Sequence, residues 1–321
     1  MLCAALLALL FTFDALRSGG SDFRVSPTDR LPRRYLRPRP LKSAAETLLR
    51  LFPHPEPVGL YRIGSAGIDS PVLVTGNFDL TVRRVCSAVK NFDCWLLVCD
   101  SRGVNVWCAS MAGHFITDSV VRAIGRTNLD GRVRSRRLIL PQLCASSVSL
   151  ETLENRTGFS ASFGPLYIND IGAYRNNPCD PAVREARFPL KARLEMALGC
   201  PLLLAIPVVL VYNFIGLGHL LVLLPLLYLA SLIHGLAFPR CPLKRIGPWV
   251  LVYLVPYRKP RVEVDGQSCI GCRRCVEVCP RAVFQMEGKL SVVVGEKRCV
   301  ICRSCFSQCP TGAVHHSHAP A

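Results

Sequence analysis

Acidic residues are scarce in this chain. Its 321 residues hold 22 Asp and Glu against 39 Lys and Arg, a formal net charge of +17. Such an excess suits nucleic acid or an anionic surface. The basic residues, however, gather between Arg24 and Arg50 and beside one long apolar stretch. No nucleic-acid-binding module accompanies them, so nucleic acid is not an expected partner. Nucleotide signatures are missing too: no G-x-G-x-x-G follows the first predicted strand and there is no P-loop, which leaves dinucleotide and nucleoside triphosphate chemistry unsupported.

Charge of either sign is absent for 44 residues between Glu195 and Arg240. A single span needs ~20 apolar residues, so this length predicts a transmembrane hairpin over 197–238 with its turn near Tyr212–His219. Arg184, Arg187, Lys191 and Arg193 precede it, and Arg240, Lys244 and Arg245 follow. Basic flanks place both ends in the cytoplasm, giving an expected location at the cytoplasmic membrane with the soluble domains facing the cytoplasm. A buried helical hairpin of a soluble protein is the alternative. His219 and His234 read as packing or interfacial residues. The opening apolar run within residues 1–22 is too short to span and lacks a basic leader and a clean cleavage site. A secretory signal, a peripheral anchor and an upstream mis-start stay open for it. Residues 23–57 are rich in Pro and Arg and read as linker with a short helix near 43–52.

Cysteine, by contrast, is abundant, with 17 residues. Residues 269–280 (CIGCRRCVEVCP) and 299–310 (CVICRSCFSQCP) each follow C-x2-C-x2-C-x3-C-P, the spacing of a bacterial-type ferredoxin with two [4Fe–4S] clusters. Three close cysteines hold one cluster and the fourth, before proline, reaches the other. Cys269, Cys272, Cys275 and Cys309 are thus expected at one cluster, and Cys299, Cys302, Cys305 and Cys279 at the second. Iron–sulfur ligation needs reduced thiolates and a reducing compartment. The expected ferredoxin covers 261–312, in an α+β fold. The tail 313–321, with His315, His316 and His318, reads as disordered rather than metal-binding. Cys3, Cys86, Cys94, Cys99, Cys144, Cys179, Cys200 and Cys241 read as packing or incidental thiols.

Residues 58–190 alternate short, continuously apolar runs with helical spacing. Strands are predicted at 70–77, 94–100 and 136–143, with a further short one beginning at VNVWC. Helices are predicted over LTVRRVCSAVKNF, DSVVRAIGR and SLETLENRTG, the last closed by Gly158. This is the pattern of an α/β domain whose parallel, Rossmann-like sheet is covered on both faces. Its chemically notable stretch is Asn105-Val106-Trp107-Cys108-Ala109, at a strand-to-helix junction where ligand sites tend to sit.

The segments SPVLVTGNFDLT, CWLLVCDSRGVNVWCA, RRLILPQLCA and TGFSASFGPLYINDI, in this order, resemble the corrinoid-binding domain of the mercury-methylating HgcA family. That domain is in turn similar to one in the corrinoid iron–sulfur protein of the acetyl-CoA pathway. The dicluster segment resembles the family's partner ferredoxin, HgcB, here fused to the same chain, and residues 191–260 would correspond to its membrane domain. The resemblance implies that Cys108 faces the cobalt of a corrinoid (a cobalamin-type cofactor), with Asn105, Val106, Trp107 and Ala109 around it. Thr75, Gly76 and Asn77 are further expected cofactor contacts. It implies a corrinoid-dependent methyltransferase in which the clusters reduce cobalt. A thiolate beneath the corrin donates charge to the metal, which suits methyl transfer to a soft acceptor, Hg(II) or another. Expected partners are the membrane, a corrinoid methyltransferase as methyl donor and an upstream electron donor. The chain departs from the family at Ser110-Met111-Ala112, where Ala-Gly-Lys is usual, and in its His-containing tail, where a cysteine pair is usual. The competing reading is a membrane-associated electron-transfer protein whose α/β domain has lost corrinoid function.

Overall fold

The computed structural model describes residues 35, 40–48, 53–178, 180–187, 190, 225–226, 229, 233 and 261–317. Two compact units share the chain. One comprises 1–20, 39–53 and 187–259, and the other 21–38, 54–186 and 260–321. Within the first, helix α1 (Pro40–Leu48) carries a Lys42–Glu46 ion pair of 3.4 Å one turn apart.

The second unit holds both the α/β region and the cysteine motifs. Its first part runs β1 (Gly59–Ile63), β2 (Val72–Gly76), α2 (Asp79–Ala88), β3 (Cys94–Cys99), α3 (Val106–Met111) and α4 (Thr117–Arg126). There follow β4 (Arg137–Leu140), α5 (Leu150–Thr157), β5 (Ser160–Phe163), α6 (Ile171–Asn176) and α7 (Pro181–Arg184). The strands form one sheet in the order β1-β3-β2-β4-β5. β3, β2, β4 and β5 are parallel, with Val72 opposite both Trp95 and Leu138, while β1 closes the edge antiparallel to β3.

Side chains alternate across this sheet as the two-residue period demands. Val72, Val74, Trp95, Leu97 and Cys99 enter one core with Phe115, Val120, Ile124 and Leu153. Leu73, Cys94, Leu96 and Val98 enter the other with Val82, Val85, Cys86 and Tyr174. Both faces are covered, which is why the strands read as unbroken apolar runs. Gly158 ends α5 in the left-handed region at φ 68°. The strand expected to begin at VNVWC is instead the helix α3.

The second part contains β6 (Arg261–Val264), α8 (Arg274–Val278), β7 (Phe284–Glu287), β8 (Leu290–Val293), α9 (Ser304–Gln308) and β9 (Val314–Ser317). β6 pairs antiparallel with β9, and β7 with β8. His315 and His316 therefore belong to a paired strand rather than to a disordered tail.

The expected location at the cytoplasmic membrane is corrected, and the membrane with it as a partner. Among the described residues no helix is long and apolar enough to cross a membrane. The longest described helices of this unit have ten residues, or ~15 Å at 1.5 Å per residue, against ~30 Å of hydrocarbon. The hairpin expected over 197–238 lies outside the described residues but for 225–226, 229 and 233, as do the N-terminal apolar run, Cys3, Cys179, Cys200, Cys241, His219, His234 and His318.

Candidate functional site

All four parallel strands point their carboxyl ends to one edge, and β2 lies between β3 and β4, so the chain's direction of winding reverses there. Ligands favour that edge in such sheets. The loop from β3 to α3 is shaped by Asn77. Its Oδ1 accepts from the Ser101 N–H (2.9 Å), the Ser101 hydroxyl (3.0 Å) and the Gly103 N–H (2.9 Å). Thr75 and Asn77 are buried. Gly76 lies so close to Ser101 that a Cβ would stand 2.7 Å from its Oγ. These three residues form the support under the loop and present little surface to a ligand.

Asn105 starts α3. Its Oδ1 accepts from the Cys108 N–H at 3.0 Å, the usual work of an N-cap. Its Nδ2 lies 3.3 Å from Cys108 Sγ, so a single side chain both begins the helix and holds the thiol. Val106, Ala109 and Ser110 face the core, whereas Trp107 (41% exposed), Cys108 and Met111 (61%) face outward. The result is an exposed thiol on the same outward side of a short helix as two large apolar side chains. That surface fits a broad planar macrocycle carrying a soft metal, since thiolates prefer soft ions.

The remaining described thiols of this domain are unlike Cys108. Burial pushes Cys86 and Cys94 up to about 12; the charge of Cys94 adds to this at Cys86, while at Cys94 Arg175 opposes it and Asp93 adds to it. Cys99 and Cys144 are buried and are likewise raised by desolvation. These are packing residues.

The eight motif cysteines gather as the spacing predicts. Cys269, Cys272, Cys275 and Cys309 line one concavity of about 330 Å³, and Cys279, Cys299, Cys302 and Cys305 line another of about 340 Å³. No acidic side chain lines either one, while Arg273 borders the first and Arg281 and Arg303 the second. Among the described residues no three His, Cys, Asp or Glu side chains close on a single ion. Four sulfurs set around an open space fit a cubane cluster better than zinc. Burial raises the Cys279 thiol to about 11 and pushes Cys275 and Cys305 up as well. At Cys309 desolvation is outweighed by the N–H groups of Val314, Thr311 and Ala313 and by the Thr311 hydroxyl, and the thiol is lowered.

The two motifs are near-copies in backbone as well. Arg273 and Arg303 precede α8 and α9 in the left-handed region, at φ 63° and 61°. Gly271 (φ 70°) and Ile301 (φ 55°) occupy equivalent positions one residue before the second cysteine. A Cβ on Gly271 would stand 2.4 Å from the Lys289 carbonyl oxygen, so that copy requires glycine.

Sequence reasoning missed the seat of the ferredoxin-like part on the α/β domain. Val278, just before Cys279, is buried in the same core as Val106 and Ala109 of α3. Its counterpart Gln308, just before Cys309, donates from Nε2 to the Ala145 carbonyl (2.7 Å) and the Val148 carbonyl (2.8 Å). Gln142 donates to the Arg184 and Val278 carbonyls, and Arg184 donates to the Glu277 carbonyl at 3.0 Å. The Ala186 N–H reaches Pro280 O at 2.8 Å, and the Ser307 hydroxyl reaches Ser146 O at 2.9 Å. The turn that receives Gln308 also grips the segment after α3, through the Ser147 hydroxyl to Phe115 O (2.7 Å) and the Ser149 N–H to Thr117 Oγ1 (3.0 Å). The repeat spacing was the one available signal: residues ahead of each fourth cysteine are symmetric positions, and neither Val nor Gln there is needed for ligation.

Comparison with known proteins agrees with this division. Residues 52–175 match the family model for the CO dehydrogenase/acetyl-CoA synthase delta subunit (CdhD), and residues 268–313 match the 4Fe-4S dicluster domain. The gamma subunit of the acetyl-CoA decarbonylase/synthase complex of Methanopyrus kandleri is 37% identical over 108 residues, 33% of this chain and 23% of that protein. Its Methanocaldococcus jannaschii counterpart is 33% identical over 129 residues, 40% of this chain and 26% of that protein. The corrinoid/iron-sulfur protein large subunit of Moorella thermoacetica is 32% identical over 117 residues, 36% and 26% of the two chains. The chain spans about a quarter of the length of these relatives. It joins, in one polypeptide, an α/β domain that matches the CdhD family model to a segment that matches the 4Fe-4S dicluster domain.

Proposed function

We propose that the protein is a corrinoid-dependent methyl-transfer protein whose fused ferredoxin supplies the reducing electrons. The observation that carries this reading is Cys108, exposed on the same side as Trp107 and Met111 of a helix that shares its core with the ferredoxin residue Val278. In this reading a corrinoid supplies a methyl-carrying cobalt, and the clusters supply low-potential single electrons. Cys108 would be the residue that holds the cobalt, Trp107 and Met111 would give the macrocycle apolar contact, and Asn105 would orient the sulfur. Thr75, Gly76 and Asn77 act beneath the loop rather than at the cofactor. The methyl acceptor is a soft electrophile, Hg(II) or another of its class, in line with the resemblance to HgcA. A corrinoid methyltransferase provides the methyl group and a separate donor protein recharges the clusters.

Anaerobic purification followed by reconstitution with cobalamin tests the reading. One cobalt per chain is expected, with an absorption spectrum that shifts on Cys108→Ala. Protein that keeps its iron and takes up no cobalt would sink the methyl-transfer reading and leave electron transfer as the working activity. Methylmercury formation by a host expressing the chain tests the acceptor separately.

A further inference from the structure

The two near-copies of the cysteine motif surround their sulfurs differently. At the first site two side-chain hydroxyls meet ligand sulfurs. Cys275 Sγ lies 3.1 Å from Ser291 Oγ, and Cys309 Sγ lies 3.7 Å from Thr311 Oγ1. At the second site the sulfurs are met, among the described residues, by backbone N–H groups: Val283 on Cys279 and Ile301 on Cys299, each at 3.4 Å. That site has two arginines at its rim, Arg281 and Arg303, where the first has one, Arg273.

Ser291 stands on β8 and is only 2% exposed. While Cys275 is a thiol, it can donate to the serine oxygen. Once Cys275 loses its proton to become a ligand, its sulfur can only accept, and the hydroxyl, which keeps its own proton, turns to donate. An electron added at this site places more negative charge on the sulfurs. A buried donor aimed at one of them stabilises the reduced form more than the oxidised form. Water cannot substitute at a side chain so buried, and salt screens it weakly. Charge at a rim is screened by salt more than a buried hydroxyl is, and the second site has two rim arginines against one at the first.

We propose that Ser291 sets the electron affinity of the site formed by Cys269, Cys272, Cys275 and Cys309, raising it through a hydroxyl hydrogen bond to the Cys275 sulfur. This rests on the ferredoxin reading above and adds to it an inequality between the two sites. One is tuned by a buried hydroxyl beside a single rim arginine, and the other by two rim arginines without such a hydroxyl. Reduction is a one-electron gain with no proton taken up, the electron coming from dithionite in the experiment.

The full chain, reconstituted anaerobically with iron and sulfide, is titrated with dithionite and followed by electron paramagnetic resonance. In Ser291→Ala one of two midpoints should fall, with about a tenfold loss in its reduction equilibrium constant, equivalent to about 59 mV for one electron. The other midpoint should stay, and Ser291→Thr should return the first towards its original value. Added potassium chloride identifies the sites, because the midpoint that falls should be the less salt-sensitive of the two. Unmoved midpoints, a joint fall of both, or a fall of the salt-sensitive one overturns the proposal. So does a Ser291→Ala protein that binds markedly less iron than the original, since the residue would then serve assembly. Original protein that fails to take up about eight irons per chain overturns the ferredoxin reading itself, a different result from loaded clusters with unmoved potentials.

Discussion

Cys108 and the four buried thiols of its domain differ in access to solvent. A thiol reacts as its thiolate, and a group held near 12 carries almost none at neutral pH. Cys86, Cys94, Cys99 and Cys144 should therefore resist iodoacetamide in the native protein at pH 8, while Cys108 is modified, as peptide mapping would read. Labelling of Cys86 or Cys94 at the same rate as Cys108 would contradict the burial that separates them. The raised values also set an alkaline limit. A thiol whose folded pKa lies above its unfolded 9.0 holds its proton more tightly in the fold. Its stabilising contribution is present below pH 9 and is lost as pH rises towards about 12. The midpoint of thermal unfolding should fall steadily across that window, and Cys86→Val should flatten the fall. The sequence singled out Cys108 by its neighbours at a strand-to-helix junction, but the Asn105 cap that holds its thiol was not read there. Asn77 was read as the end of a strand and as a cofactor contact. That it holds a loop 24 to 26 residues away is a contact no local pattern carries.

At the scale of elements, the alternation of apolar runs and helical spacing was enough to find β2, β3, β4 and the helices α2, α4 and α5. The edge strands β1 and β5 escaped. β5 has a mixed burial pattern, and β1 follows a proline-rich segment with no turn signal of its own. VNVWC looked like a strand because Val and Trp favour strands, yet the Asn105 cap and the burial of Val106 and Ala109 on one side make it helical. The cysteine motifs were legible to the residue, since the geometry of ligation dictates their spacing. Within them Gly271 and Ile301 give a sharp contrast. Gly271→Ala would force a Cβ into the Lys289 carbonyl in a left-handed backbone, and we expect loss of about half the bound iron by colorimetric assay. Ile301 already sits in that backbone region, where a β-branched side chain costs ~1–2 kcal/mol. Ile301→Gly should leave the iron content unchanged and stability within about 1 kcal/mol of the original, as the relief of strain is offset by glycine's added chain entropy.

Within the unit that holds both domains, the arrangement depends on a few side chains that sequence patterns do not mark. Val278 and Gln308 are symmetry-related positions given opposite chemistry. Val278 joins an apolar core, where full burial is worth roughly 1.5–3 kcal/mol. Gln308, 3% exposed, satisfies two backbone carbonyls that would otherwise be buried without partners. Gln308→Leu keeps the volume and removes both donors, at a cost of ~1–3 kcal/mol for the orphaned acceptors. Gln308→Glu is harsher, because it aims a buried carboxylate at the Ala145 and Val148 oxygens. Charge and dipole then repel, and an unpaired buried charge is worth ~3–5 kcal/mol of destabilisation. Since Gln308 ligates nothing, both variants should load a full complement of iron. Hydrogen exchange should nevertheless show loss of protection in residues 144–149 and in α3, larger for Glu than for Leu. The loss should reach α3 because the same turn holds Phe115 and Thr117. Were exchange to rise in the turn alone, with α3 unchanged, the seat of the ferredoxin would be independent of the helix that carries Cys108. The two domains would then be neighbours without mechanical connection.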